Sequence, residues 1–380
     1  MSKTSLFTLK TTTLCLLIST SGFSFAANQV GDNLPYFDAQ RQTVQKNVEV
    51  LDFSTSSSQE LAAYLATIPR QQAPKEIVEA FKVATENNRK IAPEYTEMME
   101  HQAAIRQVPV EQLFAEASVT DWSVNQKIIK SMQQNQAVEE LNGCTTVAFN
   151  NGIVGQTNDL SINALSDNTT IVKTDSAMFL PTDGAHFQGM GKHVGIVINF
   201  LGITAGDDGL GSSNLVSTDA VFAAATSAKS IQDFINKIEG YSTITPLNFT
   251  LADDQGNHAA FRIHADGTEL ISGHTRGVGH ANHTEGFKQN MLEKMEAFQA
   301  NQAFFNTFAR EQAVYSFLDY SPELTVESMQ WLFNKKPINL SKYQGKDFVT
   351  VEAMVFDVKN GCAYVSGDNP RFTDYSKTCF

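Results

Sequence analysis

Gly143-Cys144-Thr145-Thr146 is the stretch of this chain whose residue types can do covalent chemistry. A thiol that opens a strand after a small residue lacks the helix N-terminus that activates thiols in papain-like enzymes. Another route is open to it. If the chain is cut between Gly143 and Cys144, the new α-amine sits within one residue of the sulfur. Its unperturbed pKa of about 7.7 to 8.0 lets it take the thiol proton near working pH, so one residue supplies both nucleophile and base. Glycine before the cut leaves the scissile carbonyl open and tolerates strained backbone. The plain reading of the same pair is a buried structural cysteine.

The other cysteines bear on which reading applies. Residues 1–26 carry Lys3 and Lys10, an apolar run at Leu14-Cys15-Leu16-Leu17-Ile18, and a Ser24-Phe25-Ala26 end. That is the pattern of a secretory signal peptide, and it predicts a periplasmic or secreted protein of 354 residues. Export puts Cys144, Cys362 and Cys379 in an oxidising compartment, and three is an odd number. Cys362 and Cys379 have 16 residues between them. Bridging a loop of that size contributes about 3 kcal/mol. The expected disulfide joins those two and leaves Cys144 as a thiol outside it.

Composition narrows the partners. The chain has 380 residues, 42% of them hydrophobic, enough for one large or two ordinary cores. Its 28 Lys and Arg against 41 Asp and Glu give a charge of −13, with no basic cluster, so nucleic acid is not an expected partner. No segment beyond the signal is long and apolar enough for a stable membrane span. His274, His280 and His283 lack a His-Glu-x-x-His helix or a cysteine cluster, so no metal is expected. Gly189-Met190-Gly191 and the glycine-rich run 206–211 match no nucleotide fingerprint and read as turns, so no cofactor is expected either.

The elements that must position Cys144 change character at that residue. From 57 to 140, apolar residues such as Leu61, Leu65, Ile77, Phe81, Met98 and Met99 recur at helical spacing between prolines. From Cys144 the period is that of strands. Residues 145–149 and 153–156 form a hairpin around Asn151-Gly152, with Cys144 opening its first strand. Further strands are expected at 176–180, 193–203, 247–251, 259–264 and 269–272. A closing hairpin, 350–358 with 363–366, turns at Asn360-Gly361. Helices are expected at 219–239, 285–318 and 325–333. The fold class is α+β.

Gly143-Cys144-Thr145-Thr146-Val147-Ala148-Phe149, with Gly155-Gln156-Thr157-Asn158-Asp159 after the hairpin, resembles the acyl-coenzyme A:6-aminopenicillanic acid acyltransferase family of autoprocessing N-terminal nucleophile hydrolases. Other pieces agree in order: 107–113 before the nucleophile, 195–201 as a central strand, 252–257, and Ala281-Asn282-His283. The resemblance implies a four-layer αββα sandwich made as a precursor that cuts itself before Cys144. Residues 27–143, a helical segment, and 144–380, the catalytic segment, would stay associated as two chains. It further implies Cys144 as nucleophile and Asp159 as an aid to self-cleavage or site orientation. Asn282 would be a donor to the oxyanion, a contact worth roughly 3 to 4 kcal/mol. Where the family shows Asn-Trp-Asp this chain has Thr157-Asn158-Asp159. Read alone, Asp159 is a turn residue and Asn282 a loop amide.

A papain-like peptidase is the first rival, since His283 follows Cys144 by 139 residues. Its nucleophile, however, begins a helix near the mature amino terminus. The bile-salt and penicillin V hydrolase family shares the N-terminal cysteine, but there the cysteine directly follows the initiator or signal. A noncatalytic exported binding protein is the third reading. The expectation carried forward is an exported amide hydrolase or acyltransferase that acts on a small-molecule linear amide through a Cys144 thioester.

Overall fold

The computed structural model describes residues 47–133, 143–161, 168–201, 209–264, 267–271, 273–283, 297–340 and 348–380. The expected signal segment and residues 285–296 of the expected long helix lie outside them.

The amino-terminal part opens on a strand, β1 (Asn47–Asp52), followed by four helices: α1 (Ser58–Leu65), α2 (Lys75–Ile91), α3 (Pro93–Arg106) and α4 (Val110–Gln133). Local chemistry sets their starts. Ser57 and Glu60 close a capping box on α1, satisfying two N–H groups that a helix end would otherwise orphan. Pro93 begins α3 where no N–H is needed. Along α2, Ile77, Phe81, Ala84, Asn88 and Ile91 are buried, a single face at 3.6-residue spacing.

The remaining strands are β2 (Gly143–Phe149), β3 (Ile153–Ser161), β4 (Asn168–Lys173), β5 (Ala177–Phe179), β6 (Gly189–Gly191), β7 (Val194–Phe200), β8 (Leu247–Asp253), β9 (His258–His264), β10 (Gly267–Ile271), β11 (Gly277–His280), β12 (Phe348–Asp357), β13 (Cys362–Val365) and β14 (Ser376–Cys379). Between them run α5 (Thr218–Thr226), α6 (Ile231–Ile238), α7 (Ala297–Tyr320) and α8 (Val326–Phe333). The strands form an eight-stranded sheet, β1-β4-β5-β6-β7-β8-β9-β10, and a six-stranded sheet, β11-β2-β3-β12-β13-β14. Only β1 with β4 is parallel among the paired strands.

Three apolar clusters define four layers. Leu65, Ile77, Phe81, Met99 and Phe114 of the amino-terminal helices bury against Phe222, Phe234 and Phe249 on the outer side of the large sheet. Ala148, Val154, Met190, Val197 and Phe356 fill the space between the sheets. Val147, Phe149 and Ile153 pack with Val314, Leu318 and Phe333 of α7 and α8 on the outer side of the small sheet. The alternation of Val147 and Phe149 with Ala148 is the period-two signature of a strand buried on both faces. The chain is thus α+β, with helices, sheet, sheet and helices in succession.

Residues on either side of position 143 share one core. Besides the apolar packing, Asn88 and Ser217 exchange hydrogen bonds at 3.0 Å in both directions. The Tyr95 hydroxyl donates to Asp219 at 2.7 Å, and Arg70 donates to the Gly184 carbonyl at 2.7 Å. Each fully buried large apolar side chain contributes about 1.5 to 3 kcal/mol.

Several expectations are corrected here. The single helix over 219–239 is two, because Ser230 caps α6 by accepting from Asp233 N and so starts a new helix. Gly189-Met190-Gly191 is a strand rather than a turn; a Cβ at Gly191 would lie 1.7 Å from the Thr226 carbonyl, so glycine lets the end of α5 cross the sheet. Asp159 lies inside β3, not in a turn after it. The amino-terminal segment supplies an edge strand as well as helices.

Cys362 and Cys379 form a disulfide and are direct cross-strand partners at the edge of the small sheet. Replacing both by Ser is expected to lower unfolding stability by about 3 kcal/mol, read as a shifted urea midpoint. An unchanged midpoint would show that the bridge adds nothing to the edge.

Candidate active site

The β2–β3 hairpin sets the geometry. Gly143 pairs with Asp159 and Cys144 with Asn158. Side chains alternate across a strand, so Cys144, Thr146, Gln156 and Asn158 look into the space between the sheets, while Gly143, Thr145 and Asp159 look toward α7. A bulge in β12 carries the pattern further. It places Thr350 opposite Asp159 and Glu352 opposite Asn158, so two residues that would share a face reach opposite sides. Thr350 donates to Asp159 Oδ1 at 2.6 Å, and Asn158 Nδ2 donates to Glu352 Oε1 at 2.6 Å.

Side chains grip the backbone of Cys144 at both ends. Its N–H donates to Asn282 Oδ1 at 2.9 Å. Its carbonyl accepts from Asn199 Nδ2 at 2.9 Å and from Arg310 Nη1 at 2.6 Å. The sulfur is half-buried and lies 3.7 Å from Asn158 Oδ1. Arg310, buried on α7, also donates to Thr145 Oγ1 at 3.0 Å and to Asn282 Oδ1 at 2.8 Å. Thr146 meets Asn199 and Thr250 from the opposite sheet. The amide and hydroxyl groups between the sheets therefore satisfy one another where an apolar core would otherwise begin.

Gly143 has no room for a side chain: a Cβ there would lie 2.8 Å from Asp159 Oδ2 and 3.3 Å from Arg310 Nη2. Asp159 sits under the residue that precedes the thiol, on the face opposite the sulfur. Burial pushes its carboxyl up to about 7, with Arg310 and the Thr350 hydroxyl pulling the other way. The folded chain therefore holds a proton that the unfolded chain releases near 3.8. The associated stability is present below about pH 4 and is lost as pH rises to about 7. Asp159→Asn is expected to remove this slope, so melting temperatures measured from pH 4 to 8 should fall for the wild type and stay flatter for the variant. Parallel curves would contradict the assignment.

Asn282 is at Cys144, but its orientation differs from the one expected of an oxyanion donor. Its Nδ2 is spent on the Phe200 carbonyl at 2.8 Å, and its oxygen faces the Cys144 N–H. The physical reason is that a backbone donor and the Arg310 guanidinium both require an acceptor there. His283 bonds Thr307 Oγ1 at 3.0 Å and Glu311 at 3.1 Å. His274 pairs with Asp319 at 2.9 Å. Among the described residues, no group of three or more His, Cys, Asp or Glu is placed to hold a metal ion, and no helix is long and apolar enough to cross a membrane.

Arg310 and Glu352 are absent from the sequence reading, and Asn199, Gln156 and Asn158 enter it only as members of motifs, without a role at the site. A signal existed for Arg310. Thr307, Arg310, Val314 and Leu318 are all buried at helical spacing on α7, so the arginine lies on the stripe that should be apolar. Asn199 lies in an unbroken buried strand, where a polar residue needs partners. Glu352 alternates with Met354 and Phe356 toward the space between the sheets, where a carboxyl likewise needs a partner, while the bulge turns Thr350 to the other face.

No family model matches the chain, and no curated protein matches it. Among solved structures it is similar to a mutant of conjugated bile acid hydrolase from Clostridium perfringens, at 8% identity over 63% of this chain and 97% of that one, with a TM-score of 0.39. A second variant of that enzyme gives 8% identity, the same coverage and a TM-score of 0.42. Penicillin V acylase from Agrobacterium tumefaciens gives 12% identity over 59% of this chain and 82% of that one, with a TM-score of 0.34. Likenesses this loose transfer no residue roles.

Proposed function

We propose that this chain is an exported, self-processing cysteine amidohydrolase of the N-terminal nucleophile type. The observation that carries the reading is the grip on Cys144: N–H on Asn282, carbonyl on Asn199 and Arg310, sulfur on the same residue. In the precursor, the thiol would add to the Gly143 carbonyl and the Gly143–Cys144 C–N bond would break as the amide nitrogen takes a proton. Water would then cleave the resulting thioester, leaving a Gly143 carboxylate and a free Cys144 amine and thiol. Arg310 and Asp159 flank the scissile residue and would hold it in register. Asn282 would then accept from the freed amine, leaving that amine's lone pair to take the thiol proton.

In turnover, Cys144 would attack a small linear amide, expel the amine and pass the acyl group to water. Transfer to another amine uses the same acyl-enzyme; hydrolysis is preferred because acyl-coenzyme A is scarce outside the cytoplasm. Residues 27–143 would remain bound through the shared core. The test is a panel of N-acyl amides incubated with purified protein, followed by amine release and mass spectrometry of Cys144. Amine release with a transient acyl adduct on residue 144 supports the reading. Amine release with the adduct elsewhere, or no turnover of any amide, counts against it.

A further inference from the structure

A chain of hydrogen bonds between the sheets has a fixed direction that the chemistry above does not use. Ile198 N–H donates to Gln156 Oε1 at 2.8 Å, Gln156 Nε2 donates to Asn158 Oδ1, and Asn158 Nδ2 donates to Glu352 Oε1 at 2.6 Å. A backbone N–H can only donate, so the Ile198 end dictates how both amides point and leaves Asn158 Nδ2 for the Glu352 carboxyl, whose pKa is raised by burial and lowered by that same bond. The end of Asn158 turned toward Cys144 is therefore an acceptor, 3.7 Å from the sulfur. A protonated sulfur can donate to that oxygen. A thiolate would face its lone pairs.

We propose that Glu352 is a positioning residue: acting through Asn158, it presents an acceptor to the Cys144 sulfur and keeps that sulfur a thiol until the amine of the same residue takes its proton. The inference rests on reading Cys144 as the nucleophile. In a precursor, with no amine yet available, the Asn158 oxygen would hold the half-buried thiol in one orientation. The polarisation also runs the right way. A carboxylate drawing on Asn158 Nδ2 increases the negative character of Oδ1 and strengthens the bond from the thiol. The other titratable groups packed around Cys144 are Arg310 on α7, Asp159 on the far face of β3, and His280 on β11, with the His283–Glu311 pair beyond. None of them joins the chain from Ile198 to Glu352.

The test is the rate of Cys144 alkylation by iodoacetamide against pH on purified full chain as isolated, with Cys144→Ala marking background labelling. Glu352→Gln is expected to shift half-maximal alkylation down by about 0.5 pH units, a roughly threefold faster rate below that midpoint. Glu352→Asp, which keeps the carboxylate, should stay near wild type. In an Asn158→Leu background, Glu352→Gln should have no effect, because the connecting amide is gone. If Glu352→Gln does not fold, Glu352→Met removes the same partner of Asn158 Nδ2 and carries the same expectation. An unchanged midpoint in the folded variant overturns the proposal. So does an equal shift in the Asn158→Leu background, which would reduce Glu352 to a simple charge effect. Alkylation reads the sulfur whether or not the chain cuts itself or turns over an amide, so loss of the functional reading would register in those assays and not in this one.

Discussion

Cys144→Ala is expected to yield a single uncut polypeptide with no amide turnover, where the wild type is expected to yield chains of 117 and 237 residues after loss of the signal segment. Removing a covalent nucleophile costs on the order of 10⁴-fold or more in rate. The substitution should leave the fold intact, because the contacts to Asn282, Asn199 and Arg310 run through the backbone of residue 144. A denaturing gel reads the outcome directly. Cys144→Ser keeps a weaker oxygen nucleophile and should process slowly. If the Ala variant is still cut at the same bond, another agent makes the cut and Cys144 is not the precursor's own nucleophile.

The second large effect is expected at Arg310. Its guanidinium ties the Cys144 carbonyl, the Thr145 hydroxyl and Asn282 Oδ1 together, and its charge offsets the burial of Asp159. Arg310→Met leaves those acceptors without their donor and Asp159 without a neighbouring cation, so stability should fall by about 3 to 5 kcal/mol. Self-cleavage should slow at least about 100-fold, because the scissile residue loses its register. Urea unfolding and a cleavage time course measure the two separately. Arg310→Lys retains the charge but not the fork of donors, and should recover part of the stability while recovering little of the rate. A Met variant that unfolds at the wild-type midpoint and is cut at the wild-type rate would remove Arg310 from the site.

What the sequence disclosed follows from what its patterns encode. The β2–β3 hairpin was legible because Asn151-Gly152 separates two β-rich runs. The disulfide was legible from count and spacing. The amino-terminal helices showed their buried faces at Ile77 and Phe81. Short strands were not legible. β4 and β14 are mostly polar and gain their partners only by joining an existing sheet, β4 beside β1 and β14 through Cys379. Of the site, Cys144, Asp159 and Asn282 could be named from motifs. Their orientation could not, since the face a residue takes depends on the register of pairing. Arg310 and Asn199 arrive from other elements, and no local spacing links them to Cys144.

The measurement that bears most directly on the central claim is the intact mass of the wild-type protein under denaturing conditions, combined with sequencing from each amino terminus. Two polypeptides are expected, one of which begins at Cys144 with a free α-amine. Purified protein that hydrolyses amides as one unbroken polypeptide across position 143 would contradict it.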